Sequence, residues 1–109
     1  MAIIYRVLGQ INPTANASNT IYTVPSDVST IISTVTVCNL SNTAGTFRLA
    51  VRPDGETLAN KHYIAYDTSI PANDMIALTL GITLGNTDVL TCYASSNNIS
   101  FSAFGSEIN

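Results

Sequence analysis

An antiparallel β-sandwich of seven to eight strands is the fold this sequence predicts, and three observations predict it. Short runs rich in Val, Ile, Thr and aromatic residues recur along the chain, with Pro, Gly, Asn, Asp and Ser clustered between them. No segment holds a 3.6-residue apolar period over eleven residues, so the crossover helices of a parallel sheet are missing. The length of 109 residues suffices for one hydrophobic core, so residues 1–109 read as a single β-sandwich domain. A jelly roll and an immunoglobulin-like Greek key satisfy these observations equally.

The strands follow in order. Residues 3–9, IIYRVLG, place Ile3, Tyr5 and Val7 on one face and Ile4, Arg6 and Leu8 on the other. Both faces are mostly apolar, so this strand needs a cover from its own domain or a neighbour. A loop over 10–19 precedes a short strand over Thr20–Val24, which stops at Pro25. Residues 29–40 carry the strongest β signal, with apolar groups on both parities. Such a strand is central or bulged. Residues 46–52 alternate, with Phe47, Leu49 and Val51 inward and Arg48 and Arg52 outward. After a turn at Pro53 and a short helical turn through Glu56–Asn60, strands are expected over 61–67 and Thr68–Ile70. Met75–Leu80 aims Ile76, Leu78 and Leu80 one way, and 81–88 reads as a loop with a brief extended piece. Val89–Ala94 and Ile99–Phe104 complete the set, the last with Ile99, Phe101 and Ala103 on one face, and 105–109 forms a tail.

Charge is the anomaly of the composition. Only 10% of residues are Asp, Glu, Lys or Arg, against about 25% in an ordinary soluble domain. Thr, Ser and Asn supply 36 of the 109 residues, so neutral polar groups must cover much of the surface. A surface of this kind can be covered by protein without burying many charges. Arg6, Arg48, Arg52 and Lys61 form no basic stripe, which argues against a nucleic-acid partner. No window approaches 18 uncharged apolar residues, so no membrane partner is expected, and the N-terminus lacks the pattern of a signal peptide. Cys38 and Cys92, 54 residues apart, are expected as buried free thiols rather than a bridge between sheets.

No catalytic, cofactor-binding or metal site is expected, and the chain reads as a non-enzyme. His62 is the only histidine, and on a strand it would point away from Asp67, so it reads as an ordinary surface or turn-adjacent residue. Asp54 and Glu56 flank Gly55 without the dense oxygen spacing of a calcium loop. Asp27, Asp54, Asp74 and Asp88 sit in turns, where carboxylates accept backbone N–H bonds. Three Asn-X-Ser triplets, at Asn16, Asn39 and Asn98, are expected by chance in so Asn- and Ser-rich a chain. Tyr5, Tyr22, Tyr63, Tyr66 and Tyr93 combine an apolar ring with a hydroxyl. Tyr63 and Tyr66 are the candidates for a contact. An exposed Tyr22, Tyr63 or Tyr66 on a flat face would favour a carbohydrate-binding host-attachment module.

One order of segments runs through nearly the whole chain: Val7–Gln10, Tyr22–Pro25, Thr34–Asn39, Phe47–Val51, Lys61–Tyr63, Ile70–Asp74, Gly81–Leu84 and Ser100–Ile108. In this order the chain resembles a family of short virion structural proteins of tailed bacteriophages, cyanophages included. The resemblance implies a capsid decoration (cement) protein assembled into the virion in the host cytoplasm. Its partners would be the major capsid protein or other virion proteins, and copies of itself, with a trimer favoured. A tail, baseplate or fibre component is the alternative within the particle. The resemblance carries no functional residues with it.

Overall fold

The computed structural model describes residues 2–109. They form eight strands: β1 (Ile3–Ile11), β2 (Ser18–Thr23), β3 (Ser29–Asn39), β4 (Gly45–Arg52), β5 (Tyr63–Ile70), β6 (Met75–Leu84), β7 (Val89–Ala94) and β8 (Ile99–Ile108). Two four-stranded antiparallel sheets stack, one in the order β1-β8-β3-β6 and the other β2-β7-β4-β5. The antiparallel partners β1·β8, β2·β7, β3·β6 and β4·β5 are those of one long hairpin ribbon folded at the β4–β5 connection. Rolling that ribbon brings β8 beside β3 and β7 beside β4, which joins the pairs into two sheets. This is the jelly-roll order, so the immunoglobulin-like alternative is set aside.

Alternation builds the core. Ile32, Val35, Val37, Phe47, Leu49, Leu90, Cys92, Ile99, Phe101 and Ala103 all point between the sheets and are buried. Phe47 on β4 meets Phe101 on β8 edge to face across the sandwich, with ring centroids 6.1 Å apart. Phe47 and Leu49 are inward and Arg48 and Arg52 outward, as the alternation of that segment requires.

The mixed parity of residues 29–40 has a double cause. β3 is internal to its sheet, and it carries a bulge between Ile32 and Thr34. The extra residue, Ser33, lets Ile32 and Val35 both face inward across an odd spacing. The same irregularity reaches β6, where Leu80 and Gly81 fall between the paired residues Thr79 and Ile82. Gly81 takes φ +63° there, and Leu80 turns into solvent rather than joining Ile76 and Leu78.

Several boundaries differ from the sequence expectation. Residues 61–67 and 68–70 are not two strands: Lys61 and His62 belong to a 3-10 turn over Asn60–His62, and one strand runs Tyr63–Ile70. The helical turn expected over Glu56–Asn60 is replaced by that turn and by another over Pro53–Gly55, where the proline fixes φ at the first position. Residues 81–84 continue β6, and Gly105–Ile108 is strand rather than tail, because β8 is held between β1 and β3 to its end. Ala2 and Asn109 exchange backbone hydrogen bonds of 3.4 and 3.1 Å.

Cys38 and Cys92 are free. Cys92 points into the core, whereas Cys38 is only half-buried on the outer face of β3, so the expectation that both are buried is corrected for Cys38. Their side chains leave opposite faces of different sheets, which rules out a bridge. No helix among the described residues is long and apolar enough to cross a membrane.

Candidate functional site

The two outer sheet faces differ in chemistry. On the β1-β8-β3-β6 sheet the register aligns outward side chains in rows. Ile3, Ile108 and Ser29 form one, Tyr5, Ser106 and Ile31 the next, and Val7, Phe104 and Thr34 a third. At this corner Tyr5 is 82% exposed, Ile3 48%, Val7 49% and Ile31 40%. A shallow depression runs between Tyr5, Ile31, Phe104 and Ser106. Its one basic neighbour, Arg6, is tied to Glu107 at 2.9 Å. β1 is an edge strand, so its outer row of backbone N–H and C=O groups has no partner strand. Ile4, on the opposite face of β1, is exposed as well. Both faces are apolar, as the sequence led one to expect, but the domain supplies the cover such a strand needs only at its far end, where Leu8 and Ile11 pack against the core; Ile3, Ile4, Tyr5 and Val7 stay exposed.

The outer face of β2-β7-β4-β5 is built around Arg48. Its guanidinium carbon lies 4.1 Å from the ring centroid of Tyr66 on β5 and 4.1 Å from that of Tyr93 on β7. A planar cation between two rings is held by the ring quadrupoles. Its edge donates two hydrogen bonds to Asp67, Nε to Oδ1 at 2.7 Å and Nη2 to Oδ2 at 3.3 Å. That carboxylate holds the Arg48 proton above its already high ordinary value.

The local cause is a pair of register shifts in β5. Ala65 pairs Leu49 and Thr68 pairs Phe47, so Tyr66 and Asp67 together oppose the single residue Arg48. Asp67 accommodates the bulge at φ 47°, a conformation Asp tolerates. A ring and a carboxylate from consecutive positions thus reach the same guanidinium. Tyr63 contacts Tyr66 at 4.9 Å with the rings nearly perpendicular, and together with Asn60 they bound an open notch of about 370 Å³.

His62 is not a surface residue. Its side chain is 3% exposed, with Nδ1 accepting the Ala59 N–H at 3.0 Å and Nε2 3.4 Å from Glu56 Oε1. It ties down the 56–62 segment that carries Asn60 to the notch. The same Glu56 oxygen pairs Lys61 at 3.4 Å.

Asp54 and Glu56 do not converge. Asp88 instead accepts the N–H groups of Asp54 and Gly85, each at 2.8 Å, and Thr87 Oγ1 donates to Asp54. These bonds tie two turns together, and the described residues contain no group of three His, Cys, Asp or Glu side chains able to hold a metal ion. Tyr22 is buried, so it lies on no exposed face.

Sequence alternation placed Arg48 outward, and the chemistry of the tyrosine side chain singled out Tyr63 and Tyr66, but neither revealed the Tyr66–Arg48–Tyr93 stack. The signal that finds it is the pairing of Arg48 with Tyr93, which depends on the register of β4 and β7. No protein-family model matches this chain, and no curated protein is significantly similar to it.

Proposed function

We propose that this protein is a virion structural protein of a tailed bacteriophage, a capsid decoration protein that works by protein–protein contact. The observation that carries the reading is the uncharged apolar corner of the β1-β8-β3 surface, where Ile3, Tyr5, Val7, Ile31 and Phe104 share a face beside an unpaired strand edge. Covering such a face contributes roughly 25 cal/mol per Å² before ordering costs, and it desolvates no unpaired charge. The low content of charged residues and the resemblance of the segment order to short phage virion proteins support the same reading. The neighbour is the capsid surface, and many identical contacts multiply a modest one across the shell.

Electron microscopy of mature particles tests this. Density for the chain is expected on the outer head, in a copy number that scales with the capsid subunits. Density confined to the tail overturns decoration in favour of a tail component. A Tyr5→Lys, Ile31→Lys double variant should fold, since both positions are exposed, and should lose binding to heads by about a hundredfold.

A further inference from the structure

We infer that the notch formed by Asn60, Tyr63 and Tyr66 is a subsite for a neutral pyranose residue of a glycan, on the sheet opposite the proposed protein contact. Its volume of about 370 Å³ lies at the small end of the roughly 300–1,000 Å³ typical of ligand clefts, which suits one or two sugar rings. A pyranose has an apolar C–H face and a rim of hydroxyls. The notch answers both features: perpendicular aromatic walls for the C–H face, and the Asn60 amide with the tyrosine hydroxyls for the rim.

Two further observations set the ligand class. The cations nearest the notch are already neutralised, Arg48 by Asp67 at 2.7 Å and Lys61 by Glu56 at 3.4 Å. An acidic sugar or a phosphate therefore finds no free positive charge, and a neutral ligand leaves both pairs intact. The walls are also ordered in advance. Arg48 covers one face of Tyr66 and holds it against the sheet, and the buried His62 anchors the turn that carries Asn60. Aromatic walls fixed before binding lose little conformational entropy when a weakly held ligand arrives. Arg48 and His62 are positioning residues and do not line the notch.

The test is saturation-transfer NMR on the full chain with three neutral trisaccharides, one each of gluco, galacto and manno configuration. Transfer to the ring C–H protons of at least one is expected. Tyr66→Ala should weaken that binding about tenfold, while Tyr66→Phe, which keeps the ring, should stay within about threefold. Should Tyr66→Ala not fold, Asn60→Ala at the exposed rim carries the test, with binding about threefold weaker or worse. Transfer to none of the three sugars overturns the proposal, as does transfer undiminished in Tyr66→Ala or Asn60→Ala. If no sugar binds and Tyr66→Ala lowers the mass of a self-associated species, the notch is a protein contact and the subsite is refuted. None of these results bears on head binding through the opposite sheet, so the two proposals fail separately.

Discussion

The hydroxyl of Tyr22 on β2 donates to Glu107 Oε2 on β8 at 2.5 Å, joining the two sheets. Thr30 Oγ1 lies 2.9 Å from the same hydroxyl, and Arg6 holds the other Glu107 oxygen at 2.9 Å. Burial, followed by the bond to Glu107, pushes the Tyr22 phenol up from 10.0 to about 12. Burial alone pushes the Cys92 thiol up from 9.0 to about 12.

These shifts set an alkaline limit on stability. Both groups hold their protons more tightly when folded, so the unfolded chain binds fewer protons between the two sets of values. Stability is then whole below about pH 9 and falls as pH rises towards 12, Cys92 contributing from pH 9 and Tyr22 from pH 10. The Tyr22 share is of order 2 kcal/mol. Urea titrations at pH 8, 10 and 11 should show the decline, and Tyr22→Phe should flatten it above pH 10 at a cost of about 1 kcal/mol at neutral pH. A slope unchanged by Tyr22→Phe would remove Tyr22 from this account.

Asn39, at the end of β3, is 2% exposed and works in both directions. Its Nδ2 donates to the carbonyls of Thr43 at 2.9 Å, Pro71 at 3.2 Å and Ile70 at 3.4 Å, while Oδ1 accepts the Ser41 N–H at 3.0 Å. One amide thus pins the turn after β3 to the turn after β5. Asn39→Ala leaves these groups unpaired and should cost about 2–3 kcal/mol. Asn39→Asp, nearly identical in shape, should cost more, because a buried carboxylate would face three carbonyl oxygens with no proton to offer. Thermal unfolding that ranks Asp above Ala in stability would contradict this.

The two thiols differ in access. Cys38 is half-buried on the outer face of β3, and Cys92 faces the core behind a desolvation barrier that disfavours its thiolate. A thiol reagent at pH 8 should label one cysteine in the native protein and two in urea, with peptide mapping placing the native label on Cys38. Rapid native labelling of Cys92 would show that the sheets part easily.

Legibility in the sequence followed a physical divide. Strand existence and the inward set of β4 and β8 were readable, because each rests on alternation within one run. Irregularities of pairing were not. Tyr63 and Tyr66 have opposite parity, and simple alternation sends them to opposite faces; the register shift at Ile64, between the pairs Ala50–Tyr63 and Leu49–Ala65, returns both to one side. Leu80 reads as core by its spacing from Ile76 and Leu78, and the matching irregularity at Leu80–Gly81 expels it. His62 reads as peripheral because its partners, Ala59 and Glu56, assemble only once a 3-10 turn replaces the first residues of a strand. Register is a property of two strands, and no single run of residues carries it.

Gly105 and Gly9 stand where a neighbouring backbone leaves no room for a Cβ. A Cβ on Gly105 would stand 2.0 Å from the carbonyl oxygen of Ile31 in β3, beside the bulge that resets that strand. A Cβ on Gly9 would stand 2.2 Å from the carbonyl oxygen of Ile21, where β1 of one sheet meets β2 of the other. Neither obstacle is a side chain able to rotate away, so Ala at either position must displace a strand. Each substitution should cost about 3 kcal/mol or more, and lower the melting temperature by more than about 10 °C. Gly85→Ala is the control, since its nearest atom, a carboxylate oxygen of Asp88, is 3.7 Å away. The two clashes should also differ in kind. Gly9→Ala loosens the edge between the sheets, so hydrogen exchange should accelerate first in β1 and β2. Gly105→Ala strikes the middle of β1-β8-β3 and should expose β3 and β8 together. Melting temperatures for Gly9→Ala and Gly105→Ala that match Gly85→Ala would mean that the strands do not approach as closely as these contacts require.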